Sequence, residues 1–216
     1  MRREQKVSAA VVKRLPKYYR YLNMIASKGI IRVSSQELSN ITGLTASQIR
    51  QDLNHFGGFG QQGYGYNVEE LSGEIEKIIG INKNYNAIVI GIGNIGQAIT
   101  QYSGFKDSSF KIIGLFDKAP KMVGKKVAGV EIRKADTLED FLKKNDVNIA
   151  ILAVPSKEAQ DICDVLVEHN VKGIWNFAPV DLKLPNDVIL ENVHLDESLY
   201  TLTFYMNNPK DYPGVK

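Results

Sequence analysis

The sequence predicts an α/β protein with two unlike parts: a small helical front with a hairpin, then a parallel sheet wound on both faces by helices. Three observations predict it. Residues 34–55 read as helix, glycine turn, helix, and a run of glycines and aromatics, 56–66, follows at once. The apolar run Ala87–Ile90 ends in Gly91-Ile92-Gly93-Asn94-Ile95-Gly96 and leads into a helix. From there to residue 192, short apolar runs alternate with amphipathic stretches. The first pattern is that of a winged helix-turn-helix, and the other two are those of a Rossmann-type doubly wound sheet. The expected divisions are a winged-helix domain at 1–80 (helix-turn-helix about 34–55, wing 56–66), a Rossmann domain at 81–192, and a C-terminal helix and tail at 193–216.

The 216 residues suffice for one large domain or two modest ones. No apolar run approaches the roughly 18 residues of a membrane helix, and the charged N-terminus leads into no signal core, so a cytoplasmic protein is expected. The single cysteine, Cys163, excludes an internal disulfide and a cysteine-cluster metal site. Net charge is only +3, but it is unevenly placed. Residues 1–55 carry ten Lys and Arg against Glu4, Glu37 and Asp52, so the front is basic and the remainder acidic. That distribution suits a front that meets a polyanion; a solvated basic helix face is the alternative.

In order along the chain, Val7 to about Ser27 reads as a helix on Val11, Leu15, Tyr18, Leu22 and Ile25. Pro16 should kink or restart it near Lys13 to Leu15, and Gly29 stops it. Ser34 and Glu37 form the S-x-x-E signature of a capped helix start. That helix runs to Thr42, Gly43 turns, and Thr45 caps the next helix. In this motif the second helix enters the major groove by its N-terminal end. Arg50 and Gln51 are the candidates to read bases, Gln48 lies beside them, and Thr45 and Ser47 suit phosphate. A helical pair with no DNA role stays open. The glycines of 56–66 suit a tight hairpin, which would place Gln62 and Tyr64 along a groove; a linker is the alternative. Asn67 to Gly80 is a further amphipathic helix, and Asn82-Lys83-Asn84 is a polar junction.

Each glycine of the second motif has a task in a dinucleotide site. Gly91 permits the strand-to-helix turn, Gly93 lets backbone approach a pyrophosphate, and Gly96 lets helix and strand pack closely. Asn94 to about Ser103 is the helix, whose N-terminus offers N–H groups to phosphate. A glycine turn that serves packing alone is the competing reading. The next strand, Phe110 to Phe116, ends in Asp117, about 20 residues beyond the glycines, where a carboxylate accepts from the adenosine ribose. Asp117 favours NAD(H) by repelling a 2′-phosphate, and Lys118 beside it keeps NADP in question. Val127 to Arg133 reads as a short strand, Leu138 to Lys144 as a helix, Ile149 to Pro155 as a buried strand. Ser156 to His169 follows as a helix capped by Ser156, then Gly173 to Pro179 as strand and loop, and Val188 to Asn192 as the last strand. Ligands on such sheets bind beyond the strand C-termini. Ala153-Val154-Pro155 and Asn176-Phe177-Ala178-Pro179 are therefore expected around the nicotinamide. Asp196 to Met206 is an apolar helix after the sheet is complete, read as a dimerisation or swapped element or as packing on its own domain.

Of three histidines only His194 is near the sheet, and no acid–base constellation accompanies it, so no catalytic residue and no metal ligand is assigned. A nicotinamide without such residues points to sensing rather than turnover. An NAD-dependent oxidoreductase with a fused basic domain is the alternative.

The chain resembles the Rex family of redox-sensing transcriptional repressors. Arg14-Leu15-Pro16 with Tyr18, Tyr19 and Arg20 carries the resemblance, with Ile49-Arg50-Gln51-Asp52-Leu53, the 56–66 wing, Gly91 to Gly96, Ala153-Val154-Pro155, and Gly173 to Pro179. The resemblance implies a homodimer with a swapped C-terminal helix on near-palindromic operator DNA, released by NADH and compatible with NAD⁺. It also implies a relay in which Tyr102 and Arg20 alternately engage an acidic residue of the partner's C-terminal segment. Here His194 stands in that acid's place, with Asp196 two residues on, and Gln62 stands where a basic wing residue is expected.

Overall fold

The computed structural model describes residues 7–56, 60–61, 64–105 and 108–212. Their contacts divide the chain into two compact units, the first running to Asn82 and the second Lys83–Pro209.

In the first unit, α1 (Ala9–Ala26) begins at Ser8, whose side chain accepts from the Val11 N–H. It buries Val11, Leu15, Tyr18, Leu22 and Ile25 on one face, each contributing about 1.5–3 kcal/mol at most. The expected break at Pro16 is absent, and the helix runs through it. The carbonyl left without a donor there is that of Val12. Pro16 and Val12 both lie on the exposed side, so the missing bond falls away from the buried face of the helix. After β1 (Arg32–Val33), α2 (Ser35–Thr42) starts in a complete capping box: Ser34 Oγ accepts from the Glu37 N–H, and Glu37 accepts from the Ser34 N–H. Thr45 caps α3 (Ala46–Asn54) as its spacing predicts. The hairpin β2 (Gly60–Gln61) and β3 (Gly65–Asn67) is joined by β1 into a three-stranded antiparallel sheet, β1-β3-β2. α4 (Val68–Ile79) closes the unit between the Asn67 and Gly80 caps. Its Leu71 and Ile75 share one core with Leu15, Tyr18, Leu22, Leu38, Ile49 and Leu53.

The second unit holds a seven-stranded sheet, in the order β10-β9-β8-β4-β5-β7-β6. Its strands are β4 (Tyr85–Ile90), β5 (Phe110–Asp117), β6 (Lys126–Val127), β7 (Val130–Lys134), β8 (Ile149–Leu152), β9 (Gly173–Asn176) and β10 (Ile189–Asn192). All neighbours pair in parallel except β6 with β7. The single strand expected at Val127–Arg133 is this antiparallel hairpin, turned at Ala128 and Gly129, both at positive φ. One face of the sheet, with Ile88, Ile90, Phe116, Ala150, Leu152 and Ile174, packs on α6 (Leu138–Leu142) and α7 (Ser156–Glu168). Cys163 is fully buried in that core, as its apolar flanks predict. The other face carries Val89, Leu115, Ile132 and Ile151 with Ile92 and the partly buried Trp175 and Phe177. α5 (Asn94–Thr100) is shorter than expected, and a 3₁₀ turn at Ser103–Phe105 follows it. The cap position of α7 belongs to Pro155, not Ser156, and no side chain caps it. α8 (Leu195–Asn207) buries none of its residues, and Leu195, Leu199, Leu202, Phe204 and Met206 are all more than half exposed. Among the described residues no helix is long and apolar enough to cross a membrane, and no group of His, Cys, Asp and Glu could hold a metal ion.

Candidate functional site

β4 has β5 on one side and β8 on the other, so the strand order reverses at β4. Open parallel sheets present their ligand crevice at such a point, beyond the strand C-termini. Gly91 occupies it at φ +87, and a Cβ there would lie 2.4 Å from the Ala153 carbonyl oxygen. A Cβ at Gly96 would lie 2.0 Å from the Gly91 carbonyl oxygen. Both glycines are therefore obligatory for the turn itself. Gly93 differs: nothing lies within 4 Å of the Cβ it lacks, and it is exposed. Of these three glycines, Gly93 is the one that leaves space for a ligand. It stands at the cap position of α5, where no side chain supplies a cap.

Asp117, at the end of β5, ties this loop together. Its Oδ2 accepts from the Ile92 N–H at 2.7 Å and its Oδ1 from the Ala119 N–H at 2.7 Å. A carboxylate has about four acceptor positions, so two remain for hydroxyls. Lys118 pairs with Glu158 on α7, which offsets its charge. A cleft of about 220 Å³ lies over these groups, lined by Gly91, Gly93, Asp117, Lys118, Val154, Pro155, Glu158, Ile162 and Ala135 among others. Ala135, Glu158 and Ile162 were missed in the sequence; the one available signal was the four-residue spacing of Glu158 and Ile162 on α7.

Val154 and Pro155 line the same cleft as Asp117, so the 153–155 loop stands beside the carboxylate expected to meet the ribose. Asn176 is fully buried, and its side chain is used up by its own loop and by Asn192 at the end of β10. Its Nδ2 donates to the Ala178 and Val180 carbonyls and to Asn192 Oδ1, and its Oδ1 accepts from the Ala178 N–H. Asn176 holds the 176–179 loop together, and Ala178 is equally buried. Phe177 and Pro179 are the members of that loop with exposed surface. Likewise the Ile92 side chain belongs to the core, so only its backbone faces the loop, whereas Asn94 and Ile95 are exposed.

Tyr102 is 60% exposed and meets Phe105 edge-on. It lies across Gly104, where a Cβ would sit 2.4 Å from its ring. His194 holds the cap position of α8 without a side-chain bond, and Asp196 is exposed in its first turn. Tyr102 hydrogen-bonds neither of them within the chain. Arg20 is exposed, with its guanidinium over the Tyr21 ring.

In the first unit, Ser47, Arg50 and Gln51 are exposed on α3, and Gln48 is half-buried. Thr45 Oγ1 accepts from the Gln48 N–H at 3.1 Å, which leaves its hydroxyl hydrogen available to a phosphate oxygen. Arg50 donates from Nη1 to Ser35 Oγ at 2.8 Å. Tyr64 is 69% exposed, and Arg32 donates to its carbonyl. Gln62 lies outside the described residues.

Behind α3 is a group that sequence reasoning missed. Asp52 is almost completely buried and accepts from Arg14 Nε at 2.6 Å, Arg14 Nη2 at 2.8 Å and Tyr18 Oη at 2.7 Å. Burial alone would push the Asp52 carboxyl up. The bonds from Arg14 and Tyr18, with the Arg14 charge, outweigh it and hold the carboxyl below its ordinary range. Burial, then the bond to Asp52, pushes the Tyr18 hydroxyl the other way, above its ordinary range. This triad bolts α3 to α1. The four-residue spacing of Arg14 and Tyr18 on one helix face was its visible half.

Comparison with known proteins bears on both units. Residues 6–54 match a family described as putative DNA-binding protein N-terminus, and residues 82–180 match a CoA binding domain family. The chain is 54% identical over 211 residues to the redox-sensing transcriptional repressor Rex of Clostridium tetani, covering 98% of this chain and 100% of that one. It is 55% identical over 203 residues to that of Clostridium acetobutylicum, covering 94% and 95%. Among solved structures it is similar to RSP, a Rex-family repressor. The complex of RSP with β-NAD⁺ and operator DNA matches with a TM-score of 0.89 and 52% identity over 95% of each chain. The complex with β-NADH matches with a TM-score of 0.87 and 48% identity over 98% of this chain and all of that one.

Proposed function

We propose a function from the premise that this chain belongs to the Rex family of redox-sensing transcriptional repressors: it binds operator DNA while NADH is scarce and releases it when NADH accumulates. The observation that carries this is the pairing of two sites in one chain. A capped helix-turn-helix presents Arg50 and Gln51, and a nucleotide crevice is anchored by Asp117. A relative that matches nearly end to end has been solved with β-NAD⁺ and operator DNA, and with β-NADH. The chain is a regulator and not an enzyme.

The residues fit NAD(H). Gly93 leaves open space where a pyrophosphate would lie against the α5 N-terminus. Asp117 keeps two acceptor positions for the ribose hydroxyls and repels a 2′-phosphate. Val154, Pro155 and Ile162 form apolar walls at the adenine end. When bound, NAD⁺ supplies a flat cationic ring and NADH a neutral puckered one. The phosphate cradle holds both forms alike, so discrimination belongs to residues toward the ring end, Phe177, Pro179 and Tyr102. A ligand moves an equilibrium only by its differential affinity, and about 10⁴-fold reverses a 99:1 population.

The active species is a homodimer in the cytoplasm on a near-palindromic operator, each half-site read by one α3. The apolar side chains of α8 supply the dimer contact, with Tyr102, His194, Asp196 and Arg20 as its polar members. Anisotropy of a labelled operator duplex, titrated with NADH at fixed NAD⁺, tests the proposal. Release by NADH supports it, and equal affinity with either form overturns it.

A further inference from the structure

We propose that Ser35, on the helix before the recognition helix, is a positioning residue for sequence readout. It holds the Arg50 guanidinium in the pose from which that arginine meets a base edge. The inference rests on the reading of Arg50 as a base contact.

An exposed arginine on a helix has many rotamers, and ordering one of them against DNA subtracts from affinity. Here Arg50 already has a partner on the protein, through a 2.8 Å bond from Nη1 to Ser35 Oγ. The bond spans 15 residues of sequence and two helices, so it is tertiary and not a local helix pairing. Its acceptor sits on a rigid base. Ser35 is the first residue of α2, and the capping box of Ser34 and Glu37 fixes that turn on both sides of it. Leu38 of α2 and Ile49 of α3 lie fully buried in one core, which sets the distance between the two helices. The linking turn is held by Thr42 Oγ1, which donates to the Leu38 carbonyl and accepts from the Leu44 N–H. The guanidinium has five N–H donors, and Ser35 takes one. Four remain, enough for a bidentate pair to guanine O6 and N7 while the serine bond persists.

The test is selection of duplexes from a random pool by the full-length protein and its R50A, S35A and S35T variants, with base preference read position by position. R50A identifies the position that Arg50 reads. We expect S35A to lower preference at that same position by about two- to tenfold, with other positions unchanged. S35T, which keeps the hydroxyl, restores it. Unchanged thermal unfolding of S35A separates this from loss of fold. A uniform loss across all positions, with a salt slope lower by about one, makes Ser35 a phosphate contact and overturns the proposal. No change at the position also overturns it. A flat result for R50A itself is a different failure, since it removes the reading of Arg50 and the proposal with it.

Discussion

Replacing Asp52 with alanine tests whether the recognition helix is bolted to α1 by the triad behind it. The side chain accepts three bonds from two residues, and its removal leaves each donor in a different position. Tyr18 is 1% exposed, so its hydroxyl finds no water, a loss of about 1–3 kcal/mol. The Arg14 side chain is 21% exposed and rehydrates in part. The about 3–5 kcal/mol lost on breaking a fully buried pair therefore applies only at its lower end. The working figure is about 3 kcal/mol, or a Tm lower by roughly 12 °C or more for a unit of this size. Urea unfolding measures it, with hydrogen exchange of the α1 and α3 segments to locate the loss. The sign with pH is also set. The Asp52 carboxyl is held low in the folded state, so its contribution is present above about pH 4 and disappears as pH falls through the folded value. The gap between wild type and D52A must therefore narrow in acid. A triple variant, R14M/Y18F/D52L, exchanges the polar group for an apolar one and should recover most of the loss. A D52A cost below about 1 kcal/mol, or a gap that does not narrow below pH 4, refutes the reasoning.

Three further outcomes follow from the second unit. Gly91→Ala forces a Cβ against the Ala153 carbonyl at positive φ, so NADH binding by fluorescence titration should fall at least tenfold with a lowered Tm. Asp117→Ala removes the acceptor for the Ile92 N–H and the acceptor proposed for the ribose. NADH affinity should drop about tenfold and the preference over NADPH should collapse, as parallel titrations will read. Cys163 is fully buried, and its thiol is pushed up to about 11 by burial and then by Asp164. Labelling at pH 8 should therefore proceed only when urea opens the unit. Fast labelling of the native protein would bring thiol chemistry into the sensing.

Much of this was legible in the residues, and the gaps have physical causes. The S-x-x-E box, the Thr45 cap and G-x-G-x-x-G are local devices, and each sits where its spacing placed it. Strands of two residues carry no period. β1 therefore went unseen as the third member of the wing sheet, and the β6–β7 hairpin read as one strand. Pro16 misled because a local rule for helix breakage ignores which side of the helix meets water. Asn176 looked like a polar group offered to a ligand. Only the fold shows that Ala178, Val180 and Asn192 consume its bonds. Asp52 counts in the sequence only as one of three acids in a basic segment, because its partners lie 34 and 38 residues away.

The central claim is that one chain couples the redox state of its nucleotide to its grip on DNA. The most direct measurement is anisotropy of the tightest duplex recovered by selection, bound to full-length protein in saturating NAD⁺ and titrated with NADH at fixed salt. NADH is expected to release the duplex, and Asp117→Ala to need far more NADH for the same release. Identical DNA affinity in saturating NADH and saturating NAD⁺ would contradict it.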